Sequence, residues 1–169
     1  MVARLVPVSG VGGLRHRPRL PPAVTTPQPW NARDYAQHSS AQLQWDEELI
    51  PTLGLQGHES LLDLGCRDGR ITALIAARLD RGSALGIDLS ADMNQLANAQ
   101  FPPATYANLS FLQMDVSRIE LEQRFDIAFS NAALHWVADH RAVLRGVRAC
   151  LHSESRVLFQ MGGVEAHAC

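Results

Sequence analysis

The stretch Leu61–Thr72, LLDLGCRDGRIT, changes character in mid-run. Ser60 to Leu64 is a short apolar strand that ends in the glycine loop Gly65-Cys66-Arg67-Asp68-Gly69. Ile71 to Leu79 then reads as a helix, with Ile71, Leu74, Ile75 and Leu79 on one face. Glycines at such a turn let the backbone approach a ligand closely and leave N–H groups exposed to an anion. Downstream the alternation continues. Residues 84–88 form an apolar strand, 91–100 a helix, 109–113 a strand and 125–130 a strand. Residues 141–151 form a helix and 156–160 a fifth strand. Apolar strands separated by helical segments predict an α/β fold with a parallel sheet covered on both faces.

Upstream, residues 34–53 read as a helix, with Gly54 and Gly57 as stop signals. Residues 1–29 differ from the rest. They carry Pro7, Pro18, Pro21, Pro22, Pro27 and Pro29, and no acidic residue precedes Asp34. This Pro/Arg-rich segment is expected to be disordered, with one domain over residues 30–169. Its acid-free arginines resemble a poor transit peptide, and an upstream start codon or a natural tail is the preferred expectation.

The chain has 169 residues, 46% hydrophobic and 19% charged, with a formal charge of −2. That length can bury a core without disulfides, and the charge gives no case for nucleic-acid binding. All 15 basic residues are arginines, which excludes Schiff-base chemistry by lysine. Cys66, Cys150 and Cys169 are too few for a disulfide framework or a zinc site, which points to a cytoplasmic setting. No apolar run approaches the ~18–20 residues of a membrane span, so neither a membrane nor a metal is expected.

In open parallel sheets a ligand binds beyond the carboxyl ends of the strands. The unusual residues of this chain stand at those ends. The first strand delivers Asp63, Gly65 and Gly69, and the second ends at Asp88, 25 positions after Asp63 (88 − 63). That offset is close to the ~20 residues at which an acid meets a ribose. A carboxylate accepts hydrogen bonds from both ribose hydroxyls, and Leu89 and Met93 would flank the base. A dinucleotide fingerprint needs glycine at positions 65, 67 and 70, and Arg67 and Arg70 fail it, which disfavours a nicotinamide dehydrogenase. One aspartate at a strand end is commonly a helix cap. Three strand ends carrying Asp63, Asp88 and Asp115 in order are harder to explain by capping.

With these residues in view, the Leu61–Thr72 stretch resembles motif I of class I S-adenosylmethionine-dependent methyltransferases, with Arg67 in place of the middle glycine. The match runs from Trp30 to Gly163 and is closest to the trans-aconitate methyltransferase-like group, on Tyr35, His38, Gln42 and Gln44 before the first strand. Ser130 to Trp136 resembles motif IV. The resemblance implies a Rossmann-like parallel sheet, the class I methyltransferase core with helices on both faces. It further implies S-adenosylmethionine as cofactor, held by Asp63, Gly65, Cys66, Gly69, Asp88, Leu89, Met93, Asp115, Val116 and Asn131. Asp115 would accept from the adenine amino group. Tyr35, His38 and Trp136 would meet the acceptor, and His135 is the candidate base.

The family sheet has seven strands, and the chain stops at Cys169 before the last two. It is therefore expected to be an incomplete domain whose strand 157–160 is an open edge, prone to self-association. The expected activity is methyl transfer to a small-molecule acceptor, such as a carboxylate. The rival expectation is a non-catalytic remnant that binds cofactor weakly or serves as an interaction module. Asp126 and Asp139 are too isolated to bind a metal.

Overall fold

The computed structural model describes residues 3–5 and 49–161. Six strands, β1 (Ala3–Leu5), β2 (Ser60–Leu64), β3 (Ser83–Asp88), β4 (Leu109–Gln113), β5 (Phe125–Asn131) and β6 (Leu151–Gln160), form one sheet. Among the described residues three helices connect them: α1 (Arg70–Ala76), α2 (Ala91–Gln100) and α3 (His140–Ala149). Strand order is β1-β6-β5-β2-β3-β4, and every pair is parallel. From β2 the chain winds outward to β3 and β4, then returns to the other side of β2 for β5 and β6. The direction of winding therefore reverses between β2 and β5, the position where open sheets of this class bind ligands.

Alternating strand residues supply the two faces. Leu61, Ile127, Phe129 and Leu158 pack with Ile71, Ile75 and Ala76 of α1 and Ala97 of α2. On the opposite face Leu62, Leu64, Ala128 and Phe159 pack with Val143 and Val147 of α3. The expected parallel sheet with helices on both faces is the observed one. Among the described residues no helix is long and apolar enough to cross a membrane.

Several boundaries differ from the expectations, most of them by one or two residues. Helix α1 ends at Ala76, because Arg78 and Leu79 donate to Ile75 O and Ala76 O in a tighter turn. Strand β6 starts at Leu151, within the expected helix and five residues before the expected strand. Phe125 pairs with Leu151 and Ile127 with Arg156, so a bulge holds His152, Ser153 and Glu154. The Ser155 hydroxyl donates to Phe125 O at 2.6 Å and fastens it. Of the expected helix 34–53, only its end is described, where Ile50–Leu53 forms a 3-10 turn closed by Gly54.

The open edge at 157–160 requires correction. Ala3, Arg4 and Leu5 pair with Val157, Leu158 and Phe159, so β6 has a neighbour on its outer side. These three residues also form a strand within the segment expected to be disordered, and the remainder of that segment lies outside the described residues. Three residues can add to an edge because a parallel neighbour needs only backbone groups in register.

Candidate functional site

The loop after β2 is held from both sides. Gly65 and Cys66 donate their N–H groups to Ile87 O at 2.8 and 3.1 Å, which ties the loop to β3. Gly65 has φ +77°, and a Cβ there would collide with the Ala133 side chain from the loop after β5. Glycine is therefore required at the switch point. Gly69 has φ +79°, and a Cβ would lie 2.5 Å from the Phe111 ring, so this glycine lets α1 start against β4. Between them Arg67 takes φ +53° with a side chain. Asp68 is buried and pairs with Arg70 Nε at 3.0 Å. Cys66 packs its sulfur against Gly86 of β3. Burial, together with the charges of Asp63 and Asp88, pushes its thiol well above the ordinary range. Cys66 is therefore a protonated packing residue, and at the site it offers only backbone.

Each of the three strand-end carboxylates is oriented by its own donors. Asp63 is 2% exposed and accepts from the Thr72 hydroxyl of α1 at 2.7 Å, linking strand to helix behind the loop. Asp88 accepts from Arg67 N at Oδ2 and from Ser90 N at Oδ1, both at 2.9 Å. The Ser90 hydroxyl caps α2 by accepting from Met93 N at 3.3 Å. One acid thus joins the glycine loop to the start of α2. Asp115 accepts at Oδ1 from Ser117 N at 2.8 Å and the Ser117 hydroxyl at 2.7 Å. Those two bonds hold its carboxyl below the usual range, against a smaller opposing effect of burial.

Around them, Leu89 is 66% exposed at the end of β3, whereas Met93 is 3% exposed. Of the pair expected to flank the base, Leu89 is the one presenting a surface. Val116 is buried beside Asp115, and Asn131 is buried at the end of β5. The Ser130 hydroxyl donates to Leu64 O at 2.7 Å, which locks the ends of β5 and β2 together. Ala132 then turns with φ +50° and donates its N–H to Gln160 O. His135 and Trp136 lie in a short 3-10 turn, rings 5.0 Å apart, and Trp136 is 73% exposed. The sequence-expected residues from Asp63 to Trp136 thus fall on the carboxyl ends of the strands, on the loops that follow them and, for Met93, on α2. Tyr35 and His38 lie outside the described residues.

Thr72, Ser90, Ser117, Ser130 and Gly86 were absent from the expected set. Two of them were signalled: Asp88-x-Ser90 and Asp115-x-Ser117 both place a donor two residues after an acid, the spacing of a side-chain turn. Thr72 and Gly86 depend on contacts between elements, which spacing does not reveal. A groove of about 530 Å³ lined by Ile50, Leu55, Arg78 and Asp80 lies where the chain enters β2 and β3, at the amino ends of the strands. It is separate from this site.

Carboxylates able to receive hydroxyl or amino donors beside an exposed apolar residue suit an adenosine-containing ligand. The methyltransferase domain family matches residues 61–154, more than half of the chain. The trans-aconitate 2-methyltransferase of Deinococcus radiodurans is 37% identical over 115 residues, covering 68% of this chain and 42% of its own length. An uncharacterized methyltransferase of Schizosaccharomyces pombe is 32% identical over 137 residues, covering 79% and 51%. The crystal structure of an S-adenosylmethionine dependent methyltransferase from Mesorhizobium loti superposes with a TM-score of 0.54 at 28% identity, covering 66% and 49%. The chain spans about half the length of the curated relatives it matches. On the family match, the sheet order and the strand-end residues together, this chain belongs to the methyltransferase domain family.

Proposed function

We propose that this chain binds S-adenosylmethionine and transfers its methyl group to a small-molecule acceptor, with a carboxylate as the leading acceptor class. The observation that carries this reading is the row of pre-oriented carboxylates at the ends of β2, β3 and β4. Asp88 uses each oxygen once within the chain, and a carboxylate oxygen accepts more than one hydrogen bond, so ribose hydroxyls remain within its capacity. Asp115 takes both Ser117 bonds on one oxygen, which leaves Oδ2 for an amino donor. Leu89 offers an apolar face for the base, and the positive φ of Gly65 and Gly69 lets the loop backbone come close to the ligand.

The cofactor would supply an electrophilic methyl on a sulfonium sulfur, with a neutral thioether as the leaving group. The residues of this chain act by holding acceptor, methyl and sulfur in line and excluding water. Asp63 stays buried and braces the loop through Thr72. Gly65 against Ala133 sets how closely the loops after β2 and β5 approach. An anionic acceptor needs no base, while a hydroxyl or amine acceptor would give its proton to His135. Trp136 beside it provides an aromatic wall, and Tyr35 and His38 complete the acceptor side in this reading. The cytoplasm, with no nucleic acid or membrane as partner, is the proposed setting; Cys66 and Cys150 are free thiols.

The test is a titration with S-adenosylhomocysteine alongside methyl transfer to a panel of carboxylic acids. Binding with turnover is expected. Binding without turnover on any acceptor favours a non-catalytic remnant, and absence of binding removes the proposal. Asp88→Ala should weaken binding by at least tenfold, about 1.4 kcal/mol for a lost charge-assisted contact.

A further inference from the structure

We infer that His140 is a positioning residue: through its hydrogen bond to the Leu134 carbonyl it sets the turn that carries His135 and Trp136 on the acceptor side. The inference rests on the proposed methyl transfer and concerns how the acceptor is placed, not how the cofactor is held. His140 Nε2 lies 2.8 Å from Leu134 O. A carbonyl oxygen only accepts, so Nε2 carries the proton, as it does in one neutral tautomer and in the imidazolium. Leu134 O also accepts from Val137 N at 3.1 Å. Two donors thus meet at the carbonyl that immediately precedes His135.

The two ends of the turn are held in different ways. At its entry Ala132 N donates to Gln160 O, and the Ala133 side chain fills the space that a Cβ at Gly65 would take. Leu134 itself is buried and belongs to the same core as Val143 and Val147 of α3. The entry is thereby fixed against the sheet and the glycine loop. The exit has little apolar burial to hold it: Trp136, Ala138, Asp139 and His140 are all exposed. What orders the exit is the start of α3, where Asp139 Oδ1 accepts from Ala142 N at 2.9 Å. From that capped helix start the His140 ring reaches back over six residues to Leu134 O. Without it, Val137 N is left to close the turn at that carbonyl. A small displacement of His135 and Trp136 changes how an acceptor lies against the methyl. Asp63, Asp88 and Asp115 keep their own donors meanwhile, so the cofactor side is unaffected.

The experiment compares the parent with His140→Ala, which removes the donor, and His140→Gln, whose side-chain amide can donate in its place. Fluorine NMR of protein labelled with 5-fluorotryptophan reads the turn directly, the Trp136 line being the one lost in Trp136→Phe. Calorimetry reads S-adenosylhomocysteine binding, and methyl transfer to the panel of carboxylic acids reads kcat and KM. His140→Ala is expected to move or broaden the Trp136 line and to raise the acceptor KM roughly threefold or more. Its kcat and its affinity for S-adenosylhomocysteine should stay within about twofold of the parent. His140→Gln should restore both the line and the KM. A Trp136 line unchanged in His140→Ala, or a glutamine variant that behaves like the alanine one, would overturn the assignment. So would an equal loss of S-adenosylhomocysteine affinity, the mark of a general structural role. A parent without turnover on any acid removes the proposed reaction, and the acceptor role of His140 with it, whereas the Trp136 line tests the bond alone.

Discussion

Arg67 carries the largest local conflict in the site. Its φ of +53° is one that glycine adopts freely and an L-residue adopts at a cost of about 1–2 kcal/mol. One contact of the position is made by backbone: Arg67 N donates to Asp88 Oδ2, and any residue other than proline would do the same. Arg67→Gly therefore keeps the bond, relieves the strain and removes the guanidinium from the loop. The greater freedom of glycine in the unfolded chain offsets roughly 0.4–1 kcal/mol of that relief. Stability should thus stay within about 1 kcal/mol of the parent in urea denaturation, while S-adenosylmethionine binds several-fold tighter by calorimetry. Arg67→Ala, which removes the side chain but keeps the strain, should tighten binding less. Unchanged or weaker binding of the glycine variant would show that the guanidinium helps to hold the ligand.

Strand β3 shows how one element transmits sheet geometry to the loop. At Gly86 a Cβ would lie 2.8 Å from Cys66 Cβ and Sγ and from the Phe111 ring, so the loop after β2 rests directly on β3. Gly86→Ala is predicted to cost about 1–3 kcal/mol by overpacking and to lower cofactor affinity as well, with far-ultraviolet circular dichroism unchanged. A stability loss with affinity intact would separate loop position from β3 packing. This dependence was hidden in the sequence, where Gly86 reads as an ordinary residue of an apolar strand. Two elements were legible to their ends: α2 over 91–100 and β4 over 109–113 have the expected bounds. Asp63, Asp88 and Asp115 were legible because a strand end is a position along the chain. Strand β6 was only half legible, since His152-Ser153-Glu154 lack alternation and bulge outward. Strand β1 was not legible at all, as three residues before a proline carry no period.

At the scale of the whole molecule, carboxylates at the amino ends of the strands couple segments far apart in sequence. Glu59, just before β2, is buried and accepts from Gln56 N at 2.8 Å, Gly57 N at 2.9 Å and Arg156 Nη2 at 3.0 Å. Arg156 belongs to β6, so this pair reaches across β5 and closes the central sheet. Asp126 of β5 accepts from Ser60 N and the Ser60 hydroxyl, both at 2.8 Å, and joins the neighbouring strand. Burial works to raise both carboxyls, but the N–H and O–H donors, assisted by His58 near both and His152 near Asp126, hold them below their ordinary values. A carboxylate depressed in the folded state stabilises fully above its unfolded value, roughly pH 4–4.5. That contribution is lost as pH falls through the folded value. The parent should therefore lose stability as the medium is acidified below that range. Glu59→Gln removes one of the two titrating groups and weakens the bond to Arg156, costing about 1–3 kcal/mol at neutral pH. Its difference from the parent should then shrink on acidification, because the parent protonates the group that the variant lacks. Urea denaturation at a series of pH values checks this. A difference that stays constant into acid would mean that the charge of Glu59 does no stabilising work, and that only the shape of the clamp holds β6 to the start of β2.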